Sequence, residues 1–247
     1  IHVRAKHRGA LPVIISHGWP GSILEQIKLV GPLTDPTAFG GRAEDAFDVV
    51  IPSIPGYGFS GKPAATGWDH ARMARAFVVL MKRLGYTRFV AQGGDVGGQV
   101  TDAMAVEAPA ELVAIHTSFL FALSQDVANA VQAGAPLPSD ATEQERRALA
   151  KLQGFFGKNA AYAIEMATRP QTLYGLADSP VSLAAWLIDH GDGDDQPAAT
   201  VLAAMRTPTK GQPAERLTRD DVLDNITLYW LTNTGVSSAR SYWDNKP

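Results

Sequence analysis

Short apolar runs and longer apolar stripes alternate along the first half of this chain. IHVRA (1–5), LPVIISH (11–17), AFDVVIPSIPG (46–56), TRFVAQGGD (87–95) and ELVAIHTSF (111–119) are brief β-like runs bounded by Gly, Pro or polar turns. Helical patterns lie between them. Ala71, Ala74, Phe77, Val78, Met81 and Leu84 recur at helical spacing, with Gly85 just beyond as a stop. Thr66 and Asp69 have capping-box spacing at its start, with Asp in place of the usual Glu. VGGQVTDAMAVEA (96–108) reads as a second helix, ended by Pro109. Strands alternating with helices predict a parallel sheet covered on both faces.

The strand pattern stops at about residue 120. Ser179-Pro180 has the form of an N-cap followed by Pro at the first helical position, opening a helix that ends near Gly191. Residues 192–213 are rich in Asp, Gly, Pro and Thr and read as loop around one short helix. Thr218 and Asp221 open another helix, with Val222, Leu223, Ile226, Tyr229 and Trp230 on its apolar side. The closing LTNTGVSSARSYWDNKP reads as the tail of that helix followed by an aromatic cluster. The expected organisation is an α/β core over 1–119, a helical lid or cap over 120–218, and a return to the core over 219–247.

Composition narrows the function classes. The chain has 247 residues, 45% hydrophobic and 19% charged, enough for one large globular unit. A net charge of -3 without a dense basic cluster gives no reason to expect a nucleic-acid partner. The absence of cysteine excludes disulfide and thiolate chemistry within these residues. The apolar runs LPVIIS and FVVLM are too short to span a bilayer, and no signal-peptide pattern is present. A cytoplasmic enzyme is the expectation, with a homo-oligomer allowed. The chain begins without Met inside an apparent strand, which suggests a fragment.

Candidate chemistry centres on QGGDVGGQ. A dinucleotide fingerprint fails because Asp95 occupies the second glycine position, and no GK[ST] phosphate loop is present. The remaining reading is a sharp strand-to-helix turn that exposes one side chain, the nucleophile elbow, here Gly93-Gly94-Asp95-Val96-Gly97. Serine would need a base to remove its proton. A carboxylate is already an anion and can attack an sp³ carbon to leave an ester. The alternative is that Asp95 merely caps the following helix. The turn HGWPGS (17–22) ends the second strand, which places the Trp19 and Val96 N–H groups to form an oxyanion hole. His17 precedes the nucleophile, whereas the base of this fold follows it, so His17 is expected to be structural.

These motifs together resemble the epoxide hydrolases of the α/β-hydrolase superfamily, in their microsomal-type branch and its bacterial relatives. The resemblance rests on HGWPGS (17–22), IPSIPGYGFSGKP (51–63), GGDVGG (93–98), YAIEMATRPQTLYGLADSPVSLAAWLID (162–189) and SSARSYWDN (237–245). It implies an α/β-hydrolase fold with a mostly parallel sheet, helices on both faces and a helical cap. It also implies a detoxifying reaction on a small apolar epoxide and water, with no cofactor and no metal. Residue by residue, Asp95 is then the nucleophile, and Tyr162 and Tyr242 donate to the epoxide oxygen. Phe59, Trp186 and Trp243, with Trp19, are candidate pocket walls, and packing roles are open for each.

The resemblance further calls for a His base and an acid that orients it. The histidines are 2, 7, 17, 70, 116 and 190, and none follows a strand-end acid in the required order. Both groups are therefore expected beyond Pro247, which would leave these residues able to form the ester but not to turn over. Two rival readings remain. A haloalkane dehalogenase would commonly carry Trp directly after the nucleophile, where Val96 stands. A non-catalytic scaffold would not need Asp95 with both tyrosines.

Overall fold

The computed structural model describes residues 1–118, 125–134, 139, 141–155, 157, 160–189, 198–206, 210 and 216–245. The expected positions Phe119 and His190, and much of the expected loop over 192–213, lie outside them.

Among the described residues, five strands form one sheet: β1 (His2–Val3), β2 (Leu11–Ser16), β3 (Phe47–Val50), β4 (Phe89–Gly93) and β5 (Leu112–Thr117), in the order β1-β3-β2-β4-β5. β1 runs antiparallel to β3, and the other pairs are parallel. In β2, Ile14 packs into one core cluster while Val13 and Ile15 pack into another. Both faces of this strand are buried, which explains its continuous rather than alternating apolar run.

α1 (Ile27–Thr34), which the apolar pattern did not announce, supplies Val30 and Leu33 to the cluster of Val13 and Ile15. α2 (His70–Arg83) and α3 (Val96–Glu107) cover the other face through Met73, Phe77, Met81, Val100 and Met104. The helix over the 70s starts at Asp69, not Thr66: Asp69 accepts from the Arg72 N–H at 2.7 Å. Its end matches the glycine signal. Gly85, at φ 87°, donates to Lys82 O, and Tyr86 donates to Met81 O.

After β5, the described residues are helical. They form α4 (Gln125–Gln132), α5 (Glu143–Gly154), α6 (Ala161–Thr168), a 3₁₀ segment (Pro170–Ala177), α7 (Pro180–Ile188), α8 (Ala198–Arg206), α9 (Arg219–Thr232) and α10 (Gly235–Asp244). The Ser179 and Thr218 caps form as expected. Leu223 departs from its expected apolar side and is exposed. Met166, Leu173, Leu183, Ile226, Tyr229 and Ala239 join these helices to the core cluster of α2 and α3.

The closing residues are not a helix tail. Asn233, at φ 52°, ends α9 in the left-handed conformation, and α10 begins two residues later. The buried face of α10 is Gly235, Ser238, Ala239 and Ser241, so it carries no apolar stripe.

β2 is followed by β3 on one side, and the chain then crosses to β4 on the other. The carboxyl ends of β2 and β4 thus flank a topological switch point, where parallel sheets place ligands. Replacing the true cap, Asp69→Ala, should cost about 1 kcal/mol of stability, and Thr66→Ala less than about half of that. A Cβ at Gly97 would lie 2.2 Å from Ser16 O and 2.5 Å from His17 O. Gly97→Ala should therefore destabilise by about 1–3 kcal/mol. Urea midpoints of the intact protein check all three.

Candidate active site

Asp95 sits at the turn from β4 into α3, with φ 51° and ψ −128°. A non-glycine residue at positive φ is strained, and such strain persists only where the surroundings enforce it. They do so here. A Cβ at Gly93 would fall 2.1 Å from Gly97 O, and one at Gly18 would fall 2.4 Å from Asp95 Cβ. Only glycine permits this approach of α3, β2 and the elbow. The Asp95 side chain makes no capping hydrogen bond of the usual kind to α3. Instead its Oδ1 accepts the Trp19 N–H at 2.9 Å, and the carboxylate also accepts the Val96 N–H. Burial raises its pKa from the ordinary carboxylate value, and the two amide bonds oppose that by favouring the anion.

Hydrogen bonds tie down the Trp19 loop along its length. His17 is fully buried, with Nδ1 on Gly18 O at 3.0 Å and Nε2 accepting the Ile54 N–H at 3.1 Å. A carbonyl can only accept, so Nδ1 carries the proton and the ring is neutral. Burial also lowers His17 to about 4. With both nitrogens engaged, it is structural. The Gly18 N–H donates to Glu25 Oε1 at 3.1 Å. Pro20 O accepts from Asn225 Nδ2 at 2.8 Å, and Gly21 O accepts from the Tyr229 hydroxyl at 2.7 Å. Both of these partners lie on α9, so α9 helps to aim the Trp19 amide.

Tyr162 on α6 and Tyr242 on α10 meet above this loop. The Trp19 ring stacks on Tyr162 with centroids 4.8 Å apart and 18° between planes. Tyr242 stands edge-on to Trp19 and to Tyr162, with centroids 6.1 Å apart in each pair. The two hydroxyl groups are hydrogen-bonded to each other. Burial first, and the Asp95 charge second, push Tyr162 up to about 12 and Tyr242 well above the ordinary tyrosine value. Both phenols are thus protonated at neutral pH and feel the carboxylate.

The loop after β3 sets the position of α10. The Ser237 hydroxyl donates to Gly56 O at 2.6 Å, and Tyr57 and Ser241 share a hydrogen bond of 3.0 Å. Arg240 donates to Pro63 O at 2.8 Å, and Asp244 accepts the Gly67 N–H at 3.1 Å. The motifs IPSIPGYGFSGKP and SSARSYWDN are therefore spatial partners. Their shared task is to hold Tyr242.

The structure brings Asp95, Trp19, Val96, Tyr162 and Tyr242 together. Trp186 on α7 joins them edge-on to Trp19, with centroids 6.3 Å apart. Its indole nitrogen is buried without a hydrogen-bond partner. Trp243 is half-buried on α10. Phe59 is 76% exposed, so its expected place as a pocket wall is not what the fold provides. The main chain of the β3 loop at Gly56 and Pro63 and the Tyr57 hydroxyl, rather than the Phe59 ring, contact α10. Tyr57, Ser241 and Asn225 escaped the sequence reading because their contacts are long-range, and Glu25 because its contact depends on how one turn folds. Among the described residues, no group of three or more His, Cys, Asp or Glu side chains is arranged to hold a metal ion.

The chain is similar in sequence and fold to known proteins. A protein named "Putative epoxide hydrolase" from Stigmatella aurantiaca is 47% identical over 246 residues, covering 99% of this chain and 51% of that protein. Epoxide hydrolase 1 of Oryctolagus cuniculus is 33% identical over 256 residues, covering 99% and 55%. The chain thus spans about half the length of the curated relatives it matches. The juvenile hormone epoxide hydrolase of Bombyx mori superposes with a TM-score of 0.76 at 30% identity, covering 100% of this chain and 58% of that one. The Aspergillus niger epoxide hydrolase does so with a TM-score of 0.71 at 27% identity, covering 98% and 56%. A family model for the alpha/beta hydrolase fold matches residues 12–172. With the elbow at Asp95, the amides at its carboxylate and this match over most of its length, the chain belongs to the alpha/beta hydrolase fold family.

Proposed function

We propose that this site opens epoxides, with Asp95 as nucleophile and Tyr162 and Tyr242 as donors to the ring oxygen. The observation that carries the reading is a strained, buried carboxylate beneath two protonated phenols. An Asp95 oxygen attacks one epoxide carbon, and that carbon's bond to the ring oxygen breaks. The electron pair goes to the oxygen, which takes a proton from a tyrosine, and an alkyl ester remains on Asp95. Burial is the main cause of the raised phenols, and esterification removes the second cause, the Asp95 charge. Their pKa values therefore fall as the alkoxide needs a proton, which favours the transfer. Water then attacks the ester's carbonyl carbon, and the Trp19 and Val96 amides lie close enough to stabilise the resulting oxyanion. The acyl C–O bond breaks to release the second hydroxyl and restore the Asp95 carboxylate, and the proton set free returns to the tyrosinate. The product is a vicinal diol.

The second step needs a general base. His17 cannot supply it, because its ring nitrogens are engaged. His116 lies exposed on β5, and His190 is outside the described residues. The part of the mechanism proposed for these 247 residues is therefore alkylation and oxyanion stabilisation. We also propose that the helices within 120–218 act as a cap carrying Tyr162, with 219–247 returning to the core. Conversion of a reactive electrophile to a diol fits a cytoplasmic detoxifying role. Among the described residues, no helix is long and apolar enough to cross a membrane.

Product analysis of the intact protein with styrene oxide should show the vicinal diol. Halide release from an alkyl halide without diol formation would instead favour a dehalogenase. Asp95→Ala should reduce turnover to background. Tyr162→Phe and Tyr242→Phe should each cost about tenfold, and the pair together about 10²–10⁴. A double variant within threefold of the parent, folded by circular dichroism, contradicts the donor roles. Because burial and Asp95 both raise the phenols, with Tyr162 near 12, their ionisation should cause no loss of activity up to about pH 10.

A further inference from the structure

The Glu25 carboxyl group lies against the active-site loop, though no role follows for it from the reaction above. Glu25 ends no ion pair among the described contacts. Its Oε1 accepts the Gly18 N–H at 3.1 Å and the Gln26 side-chain N–H at 3.4 Å. Its Oε2 fills the space beside Gly21, where an added Cβ would come within 1.9 Å. The next amide along, Trp19 N–H, donates to Asp95. Gly18 itself presses on Asp95, since a Cβ there would lie 2.5 Å from Oδ1. One glycine therefore separates two carboxyl groups, and the loop's consecutive amides are divided between them.

We propose that Glu25 is a positioning residue for the nucleophile: its carboxyl group clamps Gly18 so that the Trp19 N–H stays on Asp95, and its charge promotes attack by Asp95. This rests on the epoxide-opening reading. Alkylation moves negative charge from Asp95 to the epoxide oxygen. A second negative charge beside Asp95 repels the starting state more than the ester and so speeds that transfer.

The groups that bear on Glu25 come from three directions. They are Asp95 at the elbow, the Gly18 N–H and Gln26 amide within its own loop and turn, and the Tyr229 hydroxyl on α9. Tyr229 is held well above the ordinary phenol value, so it stays neutral. Glu25 is exposed as a residue, but its carboxyl end faces the loop, with Oε1 on the Gly18 N–H and Oε2 beside Gly21. Loss of water there, followed by the Asp95 charge and opposed by the Gly18 bond, raises Glu25 to about 7. Coulomb repulsion is mutual, so the charge on Glu25 acts equally on Asp95. Glu25 is neutral below about pH 7 and ionised above it.

The test is the single-turnover rate of ester formation on Asp95 against pH in the intact protein, read by quenched-flow mass spectrometry with styrene oxide. The parent should accelerate at least threefold between pH 6 and 8. Glu25→Gln keeps an oxygen for the Gly18 N–H but cannot ionise. It should match the parent within threefold at pH 6 and lose the step. Glu25→Ala loses the clamp and should be at least tenfold slower at both pH values. Its urea midpoint checks that it is folded. A step retained in Glu25→Gln, or Glu25→Ala matching the parent, overturns the role of Glu25 and leaves the epoxide reading intact. No ester on Asp95 in the parent overturns that reading and this proposal with it.

Discussion

The site depends on one hydrogen bond, from the Trp19 N–H to Asp95 Oδ1 at 2.9 Å. A carboxylate buried this deeply is driven toward its neutral form, and a neutral acid is a poor nucleophile. Two backbone amides oppose that drive. Because they belong to the chain itself, they need no reorganisation when the reaction begins. The strained backbone at Asp95, the glycines at 18, 93 and 97, and the anchored loop together bring those amides to the Asp95 carboxylate. The same contact links β2 to β4 across the switch point of the sheet. Fold and site therefore share a single geometric requirement.

The tyrosines answer a second requirement, set by the first. A phenol placed over an anion ionises less readily, so burial and Asp95 both keep Tyr162 and Tyr242 protonated. Their placement depends on parts of the chain far from the elbow. α10 is fastened through Ser237, Arg240, Ser241 and Asp244 to the loop after β3. Tyr162 is fixed by stacking on the Trp19 ring. Trp19 thus makes two contacts in the site, with its amide on Asp95 and its indole against Tyr162. Movement of the loop would disturb both.

What could be read from the sequence followed from local rules. The elbow was legible because Gly93 and Gly97 flank Asp95 at the spacing a sharp turn needs. Gly85 and Thr218 were legible because helix ends obey short-range hydrogen-bond rules. Thr66 misled because Asp69, three residues on, was the stronger cap. α10 was hidden because its buried face is serine, alanine and glycine, satisfied by hydrogen bonds instead of apolar contact. α5 carries a full capping box at Thr142 and Glu145, but it buries no residue and shows no stripe. Phe59 looked like a pocket wall because aromatic residues usually are buried, yet its ring is exposed and its own N–H bonds to Ser53. Glu25 could not be found without coordinates, since the role proposed for it rests on one contact across a turn.

The central claim is that Asp95 becomes covalently attached to substrate. It is tested most directly by turning the intact protein over once in ¹⁸O-water with excess enzyme and sequencing the Asp95 peptide by mass spectrometry. Hydrolysis of an ester by attack at its carbonyl carbon places solvent oxygen in the carboxylate, so the account predicts a gain of ¹⁸O at Asp95. Diol formed with ¹⁸O only in the product and none in Asp95 would mean that water opens the ring directly, and would contradict it.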